Sequence, residues 1–193
     1  LTDSRKKAAE EISREVTKEL SELEMPKVRM QVRTNKKKYS FDGADDVEFL
    51  ISTNVGENVK PLSAVASGGE LSRIMLALRK ILSSSAQNET LIFDEIDTGV
   101  SGEIADRMAD IMQEMGEQDR QVISITHLPQ IAARGRAHYK VYKQDNETET
   151  NSHIRRLTDD ERVEEIAHML SGAKLTEAAL NNARALLEVS NSK

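Results

Sequence analysis

Three short runs bring together residue types that hold phosphate and activate water. Thr90-Leu91-Ile92-Phe93-Asp94-Glu95 places two adjacent carboxylates directly after four apolar-leaning residues. A run of that kind forms a strand inside a sheet, and ligands of open α/β sheets gather outside the carboxyl ends of the strands. An Asp there can hold Mg²⁺, usually through water, and a neighbouring Glu can orient or deprotonate an attacking water. The plainer alternative is a strand that ends in an acidic turn. Ser67-Gly68-Gly69-Glu70 opens a helical pattern. Ser67 suits an N-cap, the two glycines admit a close ligand, and the free N–H groups favour an anion. A capped helix after a glycine turn is the alternative. His127 follows a second apolar run, residues 122–126, and so falls in the same strand-end layer as Asp94 and Glu95. An imidazole there can hydrogen-bond a phosphate or the attacking water. His138, His153 and His168 have no comparable setting.

The elements that must position these residues follow from periodicity. Residues 69–83 predict a helix with Leu71, Ile74, Met75, Leu78 and Leu82 on one side, and residues 102–116 another with Ile104, Met108, Ile111, Met112 and Met115 inward. The methionines there are packing residues. Residues 90–93 and 121–126 read as strands buried on both faces, and a strand, helix, strand succession predicts a βαβ unit and an α/β core. Upstream, residues 3–24 form an amphipathic pattern whose apolar stripe, Ile12, Val16, Leu20 and Leu23, is narrow. Both a coiled-coil seam and an ordinary surface helix fit it. Pro26 ends it. Alternating residues 28–33 and the run 47–53 predict two strands, with Arg33, Lys36, Lys37 and Lys38 at a solvated tip between them. A hairpin is expected over 138–143 and 153–157, joined by the polar run 144–152. Thr158-Asp159-Asp160-Glu161 caps a helix that ends near Gly172, and a last helix covers about 176–189.

Composition removes whole classes. The chain has 193 residues, a net charge of −6 and no cysteine, so disulfide scaffolds, Cys-bound zinc and thiol nucleophiles are impossible. No run approaches the roughly 18–20 apolar residues of a membrane span, and no secretory pattern opens the chain. The mild acidity excludes a histone-like protein that binds nucleic acid by overall basicity, though not a local patch. Arg33 with Lys36, Lys37 and Lys38, and Lys140 and Lys143 with Arg155 and Arg156, are candidate phosphate contacts, for which a solvated surface is the plainer reading. The sequence opens at Leu1 inside a helical pattern, which suggests a piece of a longer polypeptide.

Taken in order, the motifs resemble the ABC-type ATPases. Ser67-Gly68-Gly69-Glu70 is similar to their signature motif, Leu91-Ile92-Phe93-Asp94-Glu95 to Walker B with its catalytic glutamate, Asp97-Thr98-Gly99-Val100-Ser101-Gly102 to the D-loop, and His127 to the switch histidine. The longer strings, residues 65–73, 93–102 and 126–132, resemble the SMC-like ATPases of DNA double-strand-break repair and recombination. The resemblance implies an α/β fold, the C-terminal lobe of an ABC/SMC-type P-loop NTPase head. Residues 1–25 would be the end of a coiled-coil helix, and residues 26–193 the lobe itself. It implies that Asp94 binds Mg²⁺, that Glu95 is the general base and that His127 touches the γ-phosphate. Ser67, Gly68, Gly69 and Glu70, with Asp97 close by, would close over ATP held by an opposing head. A P-loop needs G-x-x-x-x-G-K-[ST], and no glycine of this sequence is followed by lysine. The expectation is therefore a lobe inactive alone, completed by an N-terminal P-loop lobe of the same polypeptide and paired with a second head as a homodimer. The same resemblance implies a cytoplasmic, nucleoid-associated protein, with no membrane and with DNA contact by this lobe left open. A different SMC-like repair ATPase, the nucleotide-binding subunit of a membrane transporter and a non-catalytic dimerisation module are the alternatives.

Overall fold

The computed structural model describes residues 1–65, 67–83, 90–117, 120–145, 150–172 and 174–191. Ala66 of the signature run, and residues 146–149 of the polar connection, lie outside the described residues. The chain divides into two units, Leu1–Ile123 and Ser124–Lys193.

In the first unit, α1 (Thr2–Glu22) is followed by β1 (Arg29–Ser40), β2 (Gly43–Ser52) and β3 (Lys60–Pro61), which form an antiparallel sheet in the order β1-β2-β3. A 3₁₀ turn (Leu62–Ala64) leads to α2 (Gly68–Ser83), β4 (Thr90–Asp94), α3 (Gly102–Glu117) and β5 (Gln121–Ile125), within which the division between units falls. The strands β4 and β5 pair in a two-stranded sheet with α3 between them in sequence. The core holds aliphatic and Met side chains: Val16, Leu20 and Leu23 from α1 and its end, Met30 and Ile51 from the sheet, Ile74 from α2, Met108 and Met115 from α3.

Val16, Leu20 and Leu23 of the α1 stripe are buried where α1 packs on β1 and α2. Several other expectations change here. Lys36, Lys37 and Lys38 lie within β1 and not at the turn, which is made by Phe41 and Asp42. Opposite charges facing each other across the hairpin allow a strand this polar. Arg33 meets Glu48 at 3.1 Å, and Lys36 stands opposite Asp45. On α2 the buried face turns: Leu76 and Ala77 join Ile74 and Leu78, while Met75 and Leu82 are exposed. On α3 the expected face holds for Met108, Ile111, Met112 and Met115, with Ile104 half-buried and Ala105 and Ala109 added. The strand β4 alternates, with Leu91 and Phe93 buried and Ile92 65% exposed, and Ile123 and Ile125 of β5 are exposed as well. One face of this sheet is therefore open, and the continuous apolar runs misled because they do not distinguish the two faces.

In the second unit, α4 (Pro129–Arg134) precedes a hairpin of β6 (Tyr139–Asp145) and β7 (Thr150–Arg156), then α5 (Asp159–Ser171) and α6 (Glu177–Asn191). The short helix α4 went unforeseen, although Pro129 at its first turn is the usual start signal. Ala133, Ile166, Ala167, Ala179 and Ala183 form its core, with Val163, Leu180 and Leu187 packed against it. The α5 cap is the expected one. Thr158 Oγ1 accepts from the Glu161 amide at 3.3 Å, and the Thr158 amide donates to the Glu161 carboxylate at 2.9 Å. At the other end Gly172 takes φ 72°.

Candidate functional site

The N-terminus of α2 is built to be approached. The Leu71 amide donates to Ser67 O at 3.0 Å, and Ser67 Oγ faces the Glu70 amide at 3.4 Å, a long cap contact. Ser67 and Gly68 are exposed, whereas Gly69 and Glu70 are half-buried. The two glycines differ in purpose. A Cβ on Gly68 would meet nothing within 4 Å, but a Cβ on Gly69 would lie 3.4 Å from Gly99 O and 3.6 Å from Thr98 O. The first turn of α2 thus lies against the loop that follows β4 at Gly69, where a Cβ would just reach contact, while the room beside Gly68 is open to something outside the chain.

That loop, residues 95–101, is folded on itself. Glu95 adopts φ 48°, the left-handed region, which side chains other than those of Gly and Asn enter at a cost. Its carbonyl is held by Thr98, whose amide and hydroxyl donate to it at 3.3 and 2.9 Å. The Val100 amide donates to Asp97 O at 3.1 Å, and Asp97 itself is buried, 1% exposed. Gly99 and Gly102, both at positive φ, complete the turn and start α3. Asp94, the last residue of β4, and Glu95 are exposed at the strand end, in reach of an incoming ligand.

The structure therefore brings Gly68, Gly69 and Glu70 together with the Asp97 loop in one unit, and sets Asp94 and Glu95 at the strand end from which that loop departs. His127 lies in the second unit, two positions beyond β5, exposed, in a bend where the Leu128 amide donates to Thr126 Oγ1 at 2.9 Å. Among the described residues no three His, Asp or Glu side chains converge as a metal site. Asp94 fits a magnesium that takes most of its ligands from phosphate and water, the usual habit of that ion.

Two contributors had no role in the sequence reading. Thr98 fixes the Glu95 carbonyl, and Arg73 joins the start of α2 to the end of α1, donating to Gly69 O at 3.2 Å and to Leu23 O at 3.0 Å. Arg73 sits four positions after Gly69 on the same helix face, which was the available signal; its second acceptor is 50 residues away.

No family model matches the chain. Among curated proteins, the DNA repair protein RecN of Halalkalibacterium halodurans is 42% identical over 197 residues, covering all of this chain and 35% of the relative. RecN of Deinococcus radiodurans is 45% identical over 188 residues, covering 97% of the chain and 33% of the relative. Among solved structures, the Smc head domain with a coiled coil and joint from Pyrococcus yayanosii superposes with a TM-score of 0.62 at 21% identity, covering 98% of this chain and 30% of that one. A chain from work on ATP-driven dimerization and DNA-stimulated activation of SMC ATPases gives 0.60 at 20% identity, covering 90% of this chain and 100% of that one. The chain thus spans about a third of the curated relatives it matches, and it has the α/β fold of an SMC head lobe. The motifs, the α2 terminus seated on the loop after β4 and the likeness over the whole chain agree that this chain belongs to the RecN family of SMC-like proteins.

Proposed function

We propose that this chain is the C-terminal lobe of a split ATPase head that works in DNA double-strand-break repair, supplying the signature and Walker B parts of a site completed by a P-loop lobe of the same polypeptide. The observation that carries the reading is the seating of Gly69 on the Thr98 and Gly99 carbonyls, which joins the anion-attracting end of α2 to the loop that begins at Glu95. The name of the RecN relatives and the ATP-driven dimerization studied in the SMC structure support it. So does the open face of the β4–β5 sheet, where Ile92 and Ile123 are uncovered.

In this reading ATP with Mg²⁺ supplies the γ-phosphoryl group and the charge that stabilises its transfer. Asp94 would hold the metal, which would supply positive charge at the phosphates, and Glu95 would accept the proton of the attacking water. His127 donates a hydrogen bond to the phosphate. The exposed amides at Ser67 and Gly68 close over nucleotide held by a second head, with the dipole of α2 favouring its negative charge. The two heads form a homodimer, and the loop that carries Asp97 lies near their seam, although the Asp97 side chain is itself buried and does not reach the nucleotide. The reading puts the protein in the cytoplasm at the nucleoid, where the DNA repair for which its relatives are named takes place. Separately, no described helix is long and apolar enough to cross a membrane.

The deciding experiment measures ATP hydrolysis by this chain alone and after co-expression with a P-loop lobe. No turnover alone, turnover in the joined head and its loss with Glu95→Gln are expected. Gly68→Ala leaves folding unchanged, because its Cβ meets nothing in the chain, yet weakens ATP-dependent pairing of heads. Turnover by the isolated chain would overturn the split-site reading.

A further inference from the structure

The chain contains three Tyr, three Phe and no Trp. Only Phe93 of these six is buried. Tyr39 and Phe41, two positions apart at the end of the β1–β2 hairpin, are 93% and 104% exposed. A chain this poor in aromatics has kept two of them out of its core and stood them in water at one tip. Neither ring contacts another ring among the described residues.

Their surroundings are basic and stiff. Lys37 is committed to Asp42 at 2.9 Å, and Ser40 Oγ donates to the same carboxylate and to Gly43 O, the latter at 2.9 Å. Arg5 of α1 donates to Asp42 O and, at 3.0 Å, to buried Asp45, which also accepts from Thr2 at 2.9 Å. Asp42 and Asp45 are thus neutralised from within. The side chains of Lys36 and Lys38, both exposed, make no hydrogen bond or ion pair among the described residues.

We propose that this tip is a contact site for single-stranded nucleic acid, with bases stacking on Tyr39 and Phe41 and phosphates meeting Lys36 and Lys38. Flat rings beside free ammonium groups match a polyanion that carries π-faces, and neither a bare phosphate nor an apolar surface uses both. Bases in a duplex stay stacked on one another, so the rings find them only where a strand is unpaired. The hydrogen bonds that hold the turn in advance reduce the ordering cost of binding. The proposal uses no residue of α2 or of the loop after β4 and needs no nucleotide, so its failure and that of the ATPase reading are separable.

The test is fluorescence anisotropy without ATP, using a labelled 15-mer of oligothymidine, an abasic 15-mer with the same phosphates and a 15-base-pair duplex. The oligothymidine binds at least about fivefold more tightly than the abasic strand, the lower range of one stacked base. Tyr39→Ala with Phe41→Ala removes that difference. So does the paired change to Leu at both positions, which keeps an apolar tip but no ring. Lys36→Ala with Lys38→Ala weakens both strands and lowers the salt slope by about 1.4. Circular dichroism and thermal unfolding confirm that each variant folds. Four outcomes overturn the proposal: no binding at low salt; equal affinity for thymidine and abasic strands; equal affinity for the duplex; or a preference that survives in the aromatic variants. A change in oligomeric state on removing the rings, or loss of binding once the P-loop lobe is present, would assign the tip to a protein contact and overturn it too.

Discussion

Arg73 and Leu23 are joined by a hydrogen bond of 3.0 Å from the guanidinium to the carbonyl that ends α1, while the same side chain donates to Gly69 O at 3.2 Å. The glycine turn that meets the loop after β4 is thus tied to the helix that leads into the unit. Arg73→Ala leaves the Leu23 carbonyl without this donor and is expected to lower stability by about 1–3 kcal/mol in urea unfolding. Arg73→Lys recovers only part of this, since an ammonium lacks the planar fork. Faster hydrogen exchange at residues 20–23 in Arg73→Ala is the local readout; unchanged exchange there would show that the link carries no weight.

The φ of 48° at Glu95 is a cost borne for position. Glu95→Gly relieves it and is expected to raise stability by roughly 0.5–1 kcal/mol, whereas Glu95→Gln leaves stability as it is. With Glu95 in its proposed role, both are expected to remove hydrolysis in a completed head. Chemical denaturation of the three proteins side by side checks this, and a less stable Gly variant would mean that the Glu side chain itself holds the turn.

The base of α1 is acid-sensitive. Burial pushes the Asp45 carboxyl up, but hydrogen bonds from Thr2 and Arg5 more than offset it and leave its pKa below the ordinary 3.8. The Ser40 hydroxyl and then Lys37 hold Asp42 at about 2. Both carboxylates titrate lower folded than unfolded, so their contribution is present above about pH 4 and lost as the pH falls from there toward 2. Hydrogen exchange of the β1–β2 turn should rise over that window, and Asp45→Asn should flatten the response. A turn whose exchange follows only the intrinsic rate between pH 5 and 2.5 would contradict this.

At the start of α5, Thr158→Ala removes the reciprocal cap with Glu161 and is expected to cost about 1 kcal/mol. Thr158→Ser should restore it. The Glu161 carboxyl, held low by the Thr158 amide and then by Arg155, should return toward its ordinary pKa when Arg155 is replaced by Ala. Thermal melts and carboxyl titration by NMR read the two effects.

What the sequence determined by itself was local or strung along the chain. The cap at Thr158, the stop at Gly172 and the methionine face of α3 each depend on residues within a few positions of one another, where propensity and periodicity act, and the order of the signature, acidic and histidine runs is read directly along the chain. The tertiary structure alone decided three things. It extended β1 through three lysines, because Arg33 found Glu48 on the facing strand and Lys37 found Asp42 at the turn. It exposed Ile92 while burying Leu91 and Phe93, because one face of the β4–β5 sheet is open. It seated Gly69 on Gly99 and carried Arg73 to Leu23, contacts across 30 and 50 residues of chain. Such contacts leave no trace in local pattern: packing selects them only after the elements have formed, from among many partners that the same residue types would accept.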